Sequence, residues 1–387
     1  MKVTQIAAIL NDTIIPEFLG EHGGVQEDLS NIVDIGRDIS AALTADGMLD
    51  NYVKSLINRI GKEIYWNRPY ISAAPNILRD SWEYGSILMK VRAEMPEYTT
   101  NDTWGLTAGQ SYGDFTYRPP TVSAKIYNDR TAFEVDVSFA ERQVRESFAS
   151  AEAIGAFFGM IETAIDTSIT AALDALAMRT INMVISNRIA NSQNVVNLLT
   201  MYNTKFSQSL TGENCVFDKN FLRFASYEIL LYKSRIRQLS KQFNAAGHAN
   251  HTPADKQRLV LLSDFAKGAD IYLQSDTYHD ELVKVGDYYD VSAWQSTQGF
   301  TWTNISTINT KHGTSEVNQT GVIGVLMDYD SCAICCENRR VTSQYVPKGE
   351  FYNNYYKADL MSCVDPNENA VIFIADSAPT NQTRKAK

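Results

Sequence analysis

Three thiols lie close together in Cys332-x-x-Cys335-Cys336, a spacing that could bind zinc or run thiol–disulfide exchange. Either chemistry needs more: a second pair of ligands, or a helix N-terminus or cation that lowers a thiol pKa. The chain has no second C-x-x-C and no H-x-H pair. The three cysteines fall in an apparent strand, where 332 and 336 share a face and 335 points to the other. Buried, inert cysteine is the reading they favour. His279 sits between carboxylates in the run Ser275 to Glu281, but the H-E-x-x-H motif is absent. A surface helix start with acidic residues in its first turn explains that run. Glu162, Asp166, Thr170 and Asp174 recur every four residues, as metal-binding carboxylates do in helical bundles. No Glu-x-x-His accompanies them, so they read as the wet or partner-facing stripe of a helix. Tyr232 to Gln238, with Lys233, Arg235, Arg237 and nearby Lys241, is the densest basic run. It could touch phosphate, but in an acidic chain it reads as a solvated face. There is no Walker loop and no G-x-G-x-x-G fingerprint. No catalytic residue, metal or cofactor is therefore expected.

What remains is the question of what the elements are for. The chain has 387 residues, 44 % of them hydrophobic and 21 % charged, so it can bury a core without disulfides or metal. Its net charge of −10 argues against a dedicated nucleic-acid binder. Twenty tyrosines and sixteen phenylalanines hint at large interfaces. No charge-free run approaches a membrane span, and the first residues fail as a signal peptide, so the five cysteines read as reduced thiols.

Residues 1–65 read as broken amphipathic helices with no core of their own, an arm that packs on something else. Ile14, Phe18 and Leu19 belong to it. Ile87, Met89 and Val91 alternate with Leu88, Lys90 and Arg92; Phe133, Val135, Val137 and Phe139 alternate with Glu134, Asp136 and Ser138. Period two predicts half-buried strands, taken here as the two sides of one long flap. Between them lies PEYTTNDTWGLTAGQSYGDFTYRPP, rich in Gly, Thr and Pro. Loops of that length are usually functional. Trp104, Tyr112, Phe115 and Tyr117 gain nothing from solvent, so a partner is expected to cover them, with Arg118 giving a charged exit before Pro119-Pro120. From Ser150, Ile154, Phe158, Ile161, Ile165, Ile169, Leu173 and Leu176 predict one helix of about 40 residues, roughly 60 Å long. A second helix is expected through Phe221 to Leu239. RLVLLSDF reads as a short buried strand. GVIGVLMDY, SCAICCEN and AVIFIA close the chain as strands, before a polar tail.

Elements that cannot bury their apolar surface within one subunit must bury it between subunits. This order of elements resembles the major capsid proteins of tailed bacteriophages, an α+β class with the Hong Kong 97 fold. Local wording resembles one group of major head proteins: RDSWEYGSILMKV, FEVDVSFAERQVRESFASAE, RLVLLSDF and NRRVTSQYVPKGEFYNNYYKADL. The resemblance implies an N-arm at 1–65, an approach to the P-domain at 66–84 and an E-loop β-hairpin at 85–130. It implies a P-domain with the long spine helix at 131–195, an A-domain at 196–320, closing P-domain strands at 321–376 and a tail at 377–387. It implies a structural protein, not an enzyme, that assembles with itself as hexamers and pentamers into an icosahedral shell around double-stranded DNA. Portal and scaffolding proteins would be partners, the DNA would be contacted weakly, and no membrane is involved. The place would be the virion capsid, with assembly in the host cytoplasm. Ile14, Phe18, Leu19, Trp104, Tyr112, Phe115, Tyr117 and Arg118 are the expected intersubunit contacts. Some members cross-link an E-loop lysine to a neighbour's asparagine; from Glu94 to Thr121 this chain has no lysine. Two other readings compete: an encapsulin-type compartment of the same fold, and a soluble thiol- or metal-dependent enzyme using Cys332–Cys336 or His279.

Overall fold

Unbroken apolar runs such as Leu259 to Leu262 and Val322 to Met327 require a sheet covered on both faces. The computed structural model contains one; it describes residues 26, 77–79, 88–96, 104–110, 117, 119–127, 130–140, 151–274, 287–295, 299–312, 315–376 and 383–384. The expectations for the arm at 1–65 lie outside the described residues, apart from position 26.

The central sheet runs in the order β5 (Val195–Asn197), β13 (Ala370–Ile374), β10 (Val322–Asp328), β6 (Gln257–Leu262), β7 (Tyr289–Val291). β10 lies antiparallel to both β13 and β6, and the two outer pairings are parallel. Alternation splits its side chains between two cores. Leu259, Leu261, Leu326, Val371 and Phe373 enter one; Val260, Leu262, Val325, Met327 and Ile372 enter the other. Gly324 has no room for a side chain: a Cβ there would stand 2.6 Å from the Leu261 side chain and 2.8 Å from the Val260 carbonyl.

The first core is roofed by α2 (Leu198–Phe206), the short α3 (Gly212–Cys215), α4 (Lys219–Arg235) and α5 (Ser263–Gln274). The starts of α2 and α4 are capped. Asn197 accepts from the Thr200 amide at 3.0 Å and Asp218 from the Phe221 amide at 2.7 Å, each cap worth about 1 kcal/mol. The strand expected at RLVLLSDF stops at Leu262, where Ser263 and Asp264 open α5 instead. The second core rests on α1 (Ala151–Ala190), the 40-residue helix that the Ile/Leu spacing predicts. Leu176, Ile181, Val184 and Ile185 recur on its buried side. Asn182 donates to the Trp294 carbonyl at 2.6 Å, and the Trp294 indole donates to the Val322 carbonyl at 2.8 Å. Residues Thr167–Ala190 are apolar enough on average to cross a membrane, despite Asp174, Arg179 and Arg188; here that apolarity packs on the sheet and a small helix, α6 (Trp302–Ser306).

A second sheet has the order β1 (Leu78–Arg79), β11 (Cys332–Val346), β12 (Phe351–Val364), β4 (Arg130–Ala140). β11 and β12 form one long hairpin, with a bulge between Cys336 and Asn338. A small sheet joins β8 (Ile308–His312), β9 (Ser315–Gln319) and β14 (Thr383–Arg384).

The flap needs correcting. Residues 133–139 do not pair with 88–92. They belong to β4, which runs antiparallel to β12 from Ala140 opposite Phe351 to Arg130 opposite Met361. The partner of β2 (Leu88–Ala93) is β3 (Val122–Tyr127), in register from Leu88 opposite Tyr127 to Ala93 opposite Val122. The strong alternation of β4 reflects half-burial in the larger sheet. VSAKIY alternates too, but with Ala and Ser at its middle it carries a weaker signal.

Candidate functional site

In a two-stranded antiparallel ribbon, residues directly opposite share a face. Lys90 therefore stands with Lys125, and Arg92 with Ser123; Val91 stands with Ala124, and Ala93 with Val122. One face of the β2–β3 ribbon is polar and cationic. The other carries Val91, Ala93, Val122, Ala124 and Ile126, and the chain continues past β2 to Met95. The expected arrangement would turn the apolar face inward. The fold does the reverse. Val91, Met95, Val122 and Ile126 are 55–60 % exposed, and the cationic face packs on the subunit's own body.

That packing centres on the turn Asp365–Asn369 between β12 and β13. Lys90 Nζ lies 3.0 Å from Asp365 Oδ2 and 2.5 Å from Glu368 Oε1. Lys125 reaches Asp365 at 3.7 Å, and Arg92 donates to the Asn367 carbonyl at 3.3 Å. The second Glu368 oxygen accepts from Asn250 at 2.8 Å. From beneath, fully buried Arg188, at the end of α1, donates to the carbonyls of Pro366 at 3.0 Å and Glu368 at 2.5 Å. Asn369 donates to Thr252, whose hydroxyl donates to Asp328 at 2.6 Å. Glu94 at the end of β2 meets His248 at 3.1 Å. One five-residue turn thus ties the ribbon, the long helix and the 244–252 loop together.

Burial alone would push the Asp365 carboxyl up, but the Asn367 amide and the Lys90 ammonium hold it below the ordinary carboxylate range. Burial pulls Lys90 down, and its Glu368 and Asp365 partners more than reverse this, raising it above the usual lysine value. Burial, and then the charge of Asp365, push the Tyr127 phenol up, so it stays protonated beside them. The pH window follows from these directions. A depressed carboxyl stabilises the fold above its unfolded pKa of about 3.8 and loses that as pH falls through its lower folded value. A raised lysine stabilises it below about 10.5 and loses that as pH rises through its higher folded value. The ribbon should stay fastened from about pH 4 to about pH 10 and loosen as pH falls below that window. Amide exchange of residues 88–93 and 122–127, corrected for intrinsic rates, checks this; unchanged protection at low pH would contradict it.

The other expected residues place as follows. Trp104 is fully exposed and Tyr117 is 85 % exposed, with Leu106 exposed beside them in sequence. Ile14, Phe18, Leu19, Tyr112, Phe115 and Arg118 lie outside the described residues, as does the run 275–281 with His279. Cys332 is buried, its thiol 4.0 Å from the Met327 sulfur. Burial pushes the Cys215 thiol up to about 12, the opposite of an activated nucleophile. Cys335 and Cys336 face Met361 and Leu360 across the hairpin backbone. Among the described residues no three His, Cys, Asp or Glu side chains group as metal ligands. Thr170 and Asp174 are half-buried on α1. Sequence reasoning misses Lys90, Lys125, Arg188, Asp365 and Glu368. The one signal for them is that Lys90 and Arg92 take the opposite phase from Val91.

An apolar ribbon face that stays exposed on the subunit is equipment for contact. Residues 12–374 match the family model described as Phi29-like phage major capsid protein. Among solved structures, a chain of the Staphylococcus phage Andhra capsid superposes with a TM-score of 0.51 at 9 % identity, covering 81 % of this chain and 86 % of that one. A chain from a bacteriophage P68 structure of head fibre and inner core protein also gives 0.51 at 9 % identity, covering 80 % and 87 %. At such identity the likeness shows the fold alone, a mixed α+β fold of phage capsid type. No curated protein matches the chain. Because the family model spans almost the whole length, the chain belongs to the Phi29-like phage major capsid proteins: it is a structural component of the virion that forms the shell of the phage head.

Proposed function

We propose that the apolar face of the β2–β3 ribbon, continued by Trp104 and Tyr117, is a clamp that each subunit lays on a neighbouring copy in the shell. The observation that carries this is the inverted ribbon: its cations grip its own subunit while Val91, Val122 and Ile126 face outward. An isolated two-stranded hairpin is marginal in water, and covering each large apolar side chain contributes roughly 1.5–3 kcal/mol. In this reading residues 85–130 are the E-loop and 1–65 the N-arm. Residues 131–195 and 321–376, with α1 as spine helix, form the P-domain, and 196–320 the A-domain. Ile14, Phe18, Leu19, Tyr112, Phe115 and Arg118 join the contacts. Hexamers and pentamers close an icosahedral shell around double-stranded DNA, with portal and scaffolding proteins as further partners.

With no lysine between Glu94 and Thr121, the clamp holds without covalent links. Electron micrographs of the expressed chain should show closed shells. The same shells, boiled in denaturant, should run as one band near 43.3 kDa. A ladder of multimers surviving reduction would contradict the non-covalent clamp.

A further inference from the structure

Trp104 is fully exposed, Leu106 is 67 % exposed, and no charged residue occurs from Thr103 to Gly113. The Gln110 amide donates to the Thr107 carbonyl at 3.3 Å, and Gly109 takes a left-handed φ of +85°. The backbone therefore turns just after the two side chains. An uncharged turn that holds a tryptophan and a leucine in water is a knob with no hole in its own subunit.

The body carries a matching concavity. A groove of about 520 Å³ lies between the end of α4 and the approach to β5, within the roughly 300–1,000 Å³ of ordinary binding pockets. Val195 and Val196 give it an aliphatic wall, Tyr232 and Phe243 an aromatic one. The Tyr232 ring meets Phe243 edge-on at 6.4 Å and Phe373 at 5.7 Å. Phe243 is buried, and its carbonyl accepts from the Ala370 amide at 3.0 Å, so the wall is anchored. Two polar groups beside these apolar walls lack partners. Arg235 is exposed and makes no ion pair among the described residues; it lies over the Tyr232 ring, 5.2 Å from its centre. Asn194 sits at a left-handed φ of +57°, its carbonyl accepting from the Ile372 amide at 2.9 Å, and its Nδ2 makes no hydrogen bond. No carboxylate lines this groove. A second groove, of about 420 Å³, has Arg92, Glu94, Lys241 and His248 in its wall and is too charged to suit an uncharged turn.

We infer that the groove between Val195 and Tyr232 receives the Trp104–Leu106 turn of a neighbouring copy. The inference rests on the clamp reading and deepens it, by naming the surface that the clamp's tip enters. The two sides match in chemistry. Tryptophan is the best ring for a cation, and an arginine stacked on one ring can take a second ring on its other face. The valines suit Leu106, and the Asn194 amide supplies a donor for a carbonyl of the turn. Full exposure of Trp104 shows that its own groove does not hold it. The contact therefore runs from one copy to the next, a head-to-tail pairing of different surfaces that repeats around a closed assembly. A tryptophan in a desolvated aromatic pocket is a typical interface hot spot.

The test replaces Trp104 in the full chain with the photoreactive amino acid benzoylphenylalanine, at a position where the subunit loses no packing. Irradiated shells should give a band at twice the chain's 43.3 kDa, and mass spectrometry should place the cross-link within 194–196 or 232–243. Cross-links between copies that land elsewhere would overturn the inference and leave the clamp standing. No cross-link between copies would overturn both. A second readout is the lowest subunit concentration at which shells form. Arg235→Gln should raise it by roughly threefold or more, with an unchanged circular dichroism spectrum, and Arg235→Lys, which keeps the cation, should fall between that variant and the parent. Equal concentrations for Arg235→Gln and the parent would also overturn the inference.

Discussion

Ile126→Asp is expected to stop shell formation while leaving a folded, soluble subunit. Ile126 is 60 % exposed, so the isolated subunit loses little by the change. In the shell the same position would be covered. The variant forfeits the roughly 1.5–3 kcal/mol of covering the isoleucine. It must also desolvate a carboxylate with no partner, which costs several kcal/mol. Every subunit contact repeats the penalty. Ile126→Val, which trims one methyl group and costs about 0.5–1.5 kcal/mol even in a core, should still assemble. Circular dichroism of the subunit and particle counts by electron microscopy give the two readouts. Normal particle yield from Ile126→Asp would mean that the ribbon's outer face stays wet in the shell.

Arg188→Met is expected to have the largest effect on the subunit itself, about 3 kcal/mol or more. Its guanidinium is fully buried; burial pulls its pKa down to about 10, with Asp365 acting in the opposite direction. It remains charged at neutral pH and holds two carbonyls of the Asp365–Asn369 turn. Hydrogen bonds from charged groups are worth about 1.5–3 kcal/mol each; the methionine leaves the Glu368 carbonyl without its donor in a dry site and the Pro366 carbonyl with the Ala245 amide alone. Because the ribbon's lysines grip that same turn, amide exchange of residues 88–93 should rise along with that of 365–370. Denaturant unfolding measures the first effect and exchange the second. A stability within about 1 kcal/mol of the parent would show that the turn is held without Arg188.

Much of the body is legible in the sequence. The 40 residues of α1 follow from Ile165, Ile169, Leu173 and Leu176 recurring every three or four positions, a period set by helix geometry. β10 and β13 follow from unbroken apolar runs, which only a doubly covered sheet needs. The ribbon is half legible. Its first strand matches expectation, but alternation points to 133–139 as the return strand. Pairing partners are chosen by tertiary packing, and β4 has β12 to pair with. The fastening of the ribbon is not legible at all. Lys90 and Glu368 meet across 278 positions of chain, and nothing local to either marks the other. The inverted amphipathicity is hidden for the same reason. Alternation says that two faces differ, not which of them the fold turns outward.

The central claim, that a neighbouring copy covers the ribbon's apolar face and tip, is tested most directly by hydroxyl-radical footprinting of free subunits and of assembled shells. Met95, Trp104, Tyr117 and Ile126 are exposed in the subunit, so each should be oxidised readily there. In shells all four should be strongly protected, while Phe217 and Tyr227, exposed on the α3–α4 side and outside the ribbon, serve as separate reporters of other contacts. Equal oxidation of the ribbon residues in subunits and shells would contradict the clamp.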